Sequence, residues 1–354
     1  MNLTIIIPTL GRTELLVRLI SYYHSVGFKG KIVIGDGSAL ADYEKASAAL
    51  RPYRDHLRIC HLHLPDSSVS DAVHAANRYA DTEYVCLVGD DDFIVPRTAA
   101  ACIRFLETHT DYVAAHGLGV LVGSEGGRPQ AVEYAHFYPQ TIREENSAKD
   151  RLSAHLNNYS VSLFSVHRTD TWRRMFSAAN DASGGTRCED KTFSAELLPC
   201  CLSVSLGKIG QVEGLYLVRQ VHGKRYILPN WFGWLSGEKW HPSLIHFRAQ
   251  LGKGIAELDN LSFADALLVV DGAFSAYLRH FVSRNVKSRV GGMRNAIAKI
   301  SYARWVWRRI NALNPLASNG QSISYVGLTR PSSPYFRDFQ AVLNVIRQDT
   351  DSDR

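Results

Sequence analysis

Between Tyr84 and Pro96 the chain reads Tyr-Val-Cys-Leu-Val-Gly-Asp-Asp-Asp-Phe-Ile-Val-Pro, an apolar run of strand length driving into three consecutive carboxylates. Such a run predicts a strand buried on both faces, which a helix-covered sheet provides. Three acids at its end repel one another in a dry site unless a counter-charge joins them. A divalent cation at the C-terminal edge of a parallel sheet removes the conflict, and such edges are where α/β sheets bind ligands. Hard oxygen ligands with open positions suit Mg²⁺ or Mn²⁺ bridging to a phosphate. The plainer alternative is a polar turn capping a strand, which explains one or two acids better than three.

The residues before this stretch alternate between two periods. Leu3–Ile7 reads as a strand, and Glu14–Val26 carries apolar residues at 15, 16, 19, 20 and 23, a helical spacing. Lys31–Ile34 is a second strand ending in Gly35-Asp36-Gly37-Ser38, followed by a helix over 40–53, a strand over Leu57–Leu64 and a helix over Ser68–Ala80. Strand and helix at this short spacing predict a parallel sheet flanked by helices. Downstream, the pattern predicts a helix over Ala99–Thr108 and strands over Tyr112–Val122, Ser160–His167 and Leu215–Val221. Further helices are expected over Asp170–Ala179, from Cys188-Glu189-Asp190 to Leu198, and over Phe263–Val282 and Met293–Ile310.

Composition narrows the function classes. Six cysteines with no CxxC pair, several inside apolar runs, argue for reduced thiols over a disulfide framework or zinc site. The opening Met1-Asn2-Leu3-Thr4 lacks a basic leader and reads as the start of a strand, and no apolar run approaches the ~18 residues of a membrane span, so a cytoplasmic protein is expected. The net charge of +6 is local: residues 272–337 hold eleven Lys and Arg and no Asp or Glu. That disfavours nucleic acid as a partner and points to a local contact for one region. Met293–Ile310 sets Met293, Ile297, Ile300 and Trp307 on one side and five cations elsewhere. The segment 284–310 therefore suits peripheral contact with an anionic membrane at its inner face, or packing on its own domain with a solvated basic side.

Three stretches in order carry a family resemblance: Ile5-Ile6-Ile7-Pro8-Thr9, Ile32 through Ser38, and Tyr84 through Pro96. Over roughly residues 1–225 the chain resembles glycosyltransferase family 2. It departs from the family pattern at Gly35 and Gly89, where the family carries aspartates. The resemblance implies a GT-A fold, α/β with a Rossmann-like, mostly parallel sheet flanked by helices, and a C-terminal helical extension. It implies a catalytic domain over 1–228, with a donor half to about 125 and an acceptor half from about 126. The extension is then 229–345, and 346–354 is expected to be a disordered tail.

The resemblance also assigns roles. Pro8, Thr9, Arg12, Asp36 and Gly37 are expected to contact the nucleoside of a nucleoside-diphosphate sugar, a UDP-sugar in this family. Asp90 is expected on the ribose or in the metal shell and Asp91 on Mn²⁺ or Mg²⁺, with Asp92 binding the metal or orienting the loop, His222 on the metal or the diphosphate, and Lys224 and Arg225 neutralising the diphosphate. Glu189-Asp190 matches the family's acidic pair, with Asp190 as catalytic base. A carboxylate at a helix N-terminus stays ionised, as a base must, although matching charge to the first turn of a helix is also common. Trp231, Trp234 and Trp240 form a candidate acceptor wall, since aromatic faces stack on sugars, or are core.

Together these readings describe an inverting, metal-dependent glycosyltransferase acting on a glycan or lipid-linked acceptor in bacterial surface polysaccharide synthesis. A nucleotidyltransferase is the weaker alternative, because the first loop offers only Gly11-Arg12 for phosphates. A sugar-nucleotide- or glycan-binding protein without turnover is the non-catalytic one.

Overall fold

The computed structural model describes residues 1–181, 188–223, 231–297 and 323–348. Strands β1 (Leu3–Thr9), β2 (Lys31–Asp36), β3 (Arg58–His63) and β4 (Tyr84–Leu87) form a parallel half in the spatial order β3-β2-β1-β4. Alternation along each strand sorts its side chains onto two faces. Ile5, Ile7, Ile32, Ile34 and Cys86 join one core with helix α1 (Thr13–Ser25), while Ile6, Val33 and Val85 join a second core with α3 (Val69–Ala76). Gly35 has a packing reason: a Cβ there would stand 3.1 Å from the Ala72 carbonyl oxygen of α3.

Beyond β4 the sheet becomes mixed. β8 (Val166–Arg168) pairs antiparallel with β4 and with β6 (Tyr112–Gly123), and β6 runs parallel to β9 (Lys208–Val221). β5 (Phe93–Ile94) and β7 (Tyr134–Tyr138) add antiparallel edges to β9 and β6. The strand expected over Ser160–His167 is reduced to its last residues. Ser165 N–H bonds the Ser162 carbonyl in a turn, which a serine-rich run favours over a ladder.

The C-terminal helices divide between the two cores. α9 (Trp240–Asp259) and α10 (Phe263–Ile297) pack on α5 (Ala148–Asn157) and α7 (Leu198–Leu206) through Phe247, Leu251, Val270 and Phe274. The last helix, α12 (Phe336–Gln348), returns to the first core and buries Phe339, Val342, Leu343 and Ile346 beside α1. Ile346 is thus core where a tail was expected; residues 349–354 lie outside the described residues, as does the basic stretch beyond Ile297. Among the described residues, no single helix is long and apolar enough to cross a membrane.

Candidate active site

The parallel register sets Thr9, Asp36 and His63 at one level, so the loops leaving β1, β2 and β3 meet at one edge. Val88 N–H bonds the Ile6 carbonyl and carries β4 to the same edge, delivering the acid triplet beside Thr9 and Arg12. Asp36 itself is 1% exposed. Its Oδ1 accepts from Ser38 N–H at 2.9 Å and its Oδ2 lies 2.9 Å from His61 Nε2, so it shapes the loop instead of reaching outward. Burial alone would raise its pKa, but these hydrogen bonds outweigh it and hold the group below the ordinary value. Gly37 N–H ties the same loop to the Thr9 carbonyl.

Each acid of the triplet has its own partners. Asp90 is fully buried and takes Thr9 Oγ1–H at 2.6 Å and Arg12 Nε–H at 3.1 Å, with Arg12 Nη2 at 2.5 Å from its other oxygen. Burial pushes its pKa up to about 7, against the pull of Arg12. Asp91 Oδ2 lies 3.1 Å from His222 Nε2 and 3.3 Å from Arg12 Nη1. For Asp91 the hydrogen bond from His222 and the Arg12 charge overcome burial and lower the pKa. Asp92 accepts from Arg219 Nε–H at 2.8 Å and from Gln220 N–H at 3.0 Å. Burial pushes Asp92 up to about 6 against Arg219, whose own pKa rises because the Asp92 charge outweighs its burial.

This arrangement tests the expected metal set. Two ligands at about 2.1 Å from an octahedral ion, at right angles, stand ~3 Å apart. Asp91 Oδ2 and His222 Nε2, hydrogen-bonded at 3.1 Å, have that spacing, but among the described residues no group of three or more His, Cys, Asp or Glu is placed to hold an ion. A Cβ at Gly89 would stand 2.7 Å from Asp91 Oδ1, so glycine at the first acidic position leaves that carboxylate its room. Asp92 does not fit, because Arg219 and Gln220 hold its two oxygens. Asp90 is likewise committed to Thr9 and Arg12.

A cleft of about 660 Å³ opens from this edge. Pro8, Arg12, Gly89 and Asp91 of the motif edge line it together with Lys191, Ser194 and Glu196 of the later acidic segment and with Leu163, Phe164 and Arg219. Asp190 caps the helical segment that begins there: its Oδ1 accepts from Thr192 N–H at 2.9 Å, Phe193 N–H at 3.1 Å and Trp234 Nε1–H at 3.0 Å. Its flanking residues Cys188, Glu189 and Lys191 line a smaller cavity of about 220 Å³ that shares Ser68, Ser70 and Ser194 with the main cleft. Glu189 pairs with Lys239 at 3.2 Å on the surface.

The aromatic wall resolves differently from its expectation. Trp234 is 2% exposed and packs on Phe193, Trp240 and Phe281, so it buttresses Asp190 and presents no face to a sugar. Trp240 packs on the same core. The Trp231 side chain, Lys224 and Arg225 lie outside the described residues.

Two groups in the cleft belong to no motif. Arg219, with its guanidinium 4.5 Å from the Phe164 ring and 5.0 Å from the Tyr138 ring, had one sequence signal: a cation inside the apolar strand run Leu215–Val221, which needs a buried partner. Glu196, inside an apolar helix, carried the same signal.

A family model described as Glycosyl transferase family 2 matches residues 4–167. Among solved structures, S. aureus TarS is similar at 16% identity and a TM-score of 0.50, over 79% of this chain and 44% of that one. The fragment TarS 1–349 is similar at 15% identity and a TM-score of 0.50, over 100% of this chain and 92% of that fragment. The chain therefore spans less than half the length of the longer TarS chain. No curated protein matches the sequence. The structural likeness agrees with the GT-A arrangement of a helix-flanked sheet followed by C-terminal helices. The match to glycosyl transferase family 2 thus runs from β1 through the acid triplet into β8, the stretch that builds the motif edge.

Proposed function

We propose that this protein is an inverting glycosyltransferase that moves a sugar from a UDP-sugar to a hydroxyl of a glycan or lipid-linked acceptor. The observation that carries the reading is the single cleft joining Asp91, at the end of β4, to the segment that Asp190 caps. Arg12 and the β1 loop face the nucleotide end, and Asp91 and His222 are the residues that would hold Mn²⁺ or Mg²⁺. A bound dication would neutralise charge on the departing diphosphate.

Asp190 is the proposed base. Two backbone N–H groups and the Trp234 indole fix its Oδ1, and the proposed role gives the acceptor proton to Oδ2. The acceptor oxygen then bonds the anomeric carbon as the bond from that carbon to the diphosphate breaks on the opposite face. Arg12 is tied to Asp90 and Asp91, which disfavours the nucleotidyltransferase alternative that would need it on a triphosphate. The proposed setting is surface polysaccharide synthesis at the inner face of the membrane, with the basic stretch 284–310 as the contact.

Release of UDP from UDP-sugars, followed in wild type and Asp190→Asn, tests the reading. Turnover that needs Asp190 while UDP binding survives its replacement supports transfer. Turnover indifferent to Asp190 refutes the assignment.

A further inference from the structure

The cleft holds a carboxyl that the proposed reaction does not use. Glu196 lies in a π-helical turn, Phe193–Leu197, where an extra residue per turn re-aims side chains, a feature frequent at functional sites. It lines the cleft together with Tyr138 and Arg219. The Tyr159 hydroxyl donates to its Oε1 at 3.0 Å, the one hydrogen bond it makes among the described residues, so Oε2 is left to a ligand. Burial raises its pKa above the usual carboxylate range, against the Tyr159 bond and the Arg219 charge. Oε2 is open to the cleft, so a ligand hydroxyl can take the place of water on it.

Arg219 does not fill that role. It is held by Asp92 at 2.8 Å, by Tyr138 Oη at 2.9 Å and by the Phe164 ring. Asp91 and Glu196 line the same cleft, so a sugar attached to a diphosphate at Asp91 would share it with Glu196. We infer that Glu196 is a specificity-determining residue that accepts a hydrogen bond from a hydroxyl of the transferred sugar and rejects donors presenting a carboxylate there. The donor class is then a neutral hexose over a hexuronate. This inference rests on the donor-site reading above. A site built to bond a hydroxyl discriminates strongly, because the wrong group leaves a buried partner unsatisfied.

The test is calorimetric binding of UDP, UDP-glucose and UDP-glucuronate to wild type, Glu196→Gln and Tyr159→Phe. Wild type is expected to favour UDP-glucose over UDP-glucuronate by about tenfold or more, the scale of one hydrogen bond to a charged group. Glu196→Gln keeps the shape, removes the charge and closes most of that gap with UDP affinity unchanged; Tyr159→Phe loosens the carboxyl and closes part of it. UDP binding with the same gap in wild type and Glu196→Gln overturns this inference alone. Failure of UDP itself to bind overturns the donor-site reading, and this inference with it.

Discussion

Acid should destabilise this protein through histidines that the fold keeps neutral. His155 and His167 are fully buried, and burial pushes their pKa values down from 6.5 to about 3 and about 4. Among the described residues neither ring nitrogen of His155 has a hydrogen-bond partner, while His167 is placed by the Ser165 carbonyl and Ser203 Oγ. The unfolded chain takes up a proton at each as pH falls below about 6.5, whereas the folded chain does not until its depressed pKa. Stability is therefore lost as pH falls from about 6.5 toward 3 to 4, and each residue's loss is complete below its folded value. Between pH 8 and pH 5 the linkage gives about 2 kcal/mol per histidine. His116, also buried with a lowered pKa, adds in the same direction. The perturbation is His155→Leu, read by urea unfolding at pH 8 and pH 5. The variant should lose about 2 kcal/mol less than wild type across that interval. Equal losses in both proteins would refute the reasoning. The His155 ring packs 5.0 Å from Tyr159, whose hydroxyl donates to Glu196 in the cleft.

Asp190→Asn preserves the helix cap and removes the proposed base, so kcat should fall about 10²–10⁴-fold with little change in unfolding free energy; Asp190→Ala should also lose about 1 kcal/mol of stability. Arg219→Met leaves Asp92 buried without its counter-charge, and urea unfolding should show a loss of about 3–5 kcal/mol, part of it restored by adding Asp92→Asn. Phe339→Ala in α12 should cost about 3–5 kcal/mol by the same assay, since that ring is fully buried in the first core; a neutral result would show the last helix to be dispensable.

Much of the site was legible because its signals are local. The apolar run into Asp90-Asp91-Asp92 gave both the strand and the edge at which it ends, and the parallel register then placed Thr9, Arg12 and Asp36 beside it. Partner choice within that edge was not legible. Three adjacent acids look alike in sequence, yet Asp90 is bound to Arg12, Asp91 to His222 and Asp92 to Arg219, pairings whose members lie 78, 131 and 127 residues apart. The tryptophans misled for a related reason: an indole stacks on a sugar or on a core equally well, and only the position of Phe193 and Phe281 sends Trp234 inward. The return of α12 was hidden behind a loop-rich stretch. Its apolar residues at 339, 342, 343 and 346 nonetheless have the spacing of a buried helix face.

The central claim is that Asp91 and His222 organise a diphosphate at the β4 edge, and titration of UDP with and without Mn²⁺ addresses it most directly. In wild type, Mn²⁺ should tighten UDP binding about tenfold or more, and Asp91→Asn should erase that difference. UDP affinity that is the same in Mn²⁺ and in chelator, or a metal effect that survives in Asp91→Asn, would contradict the account.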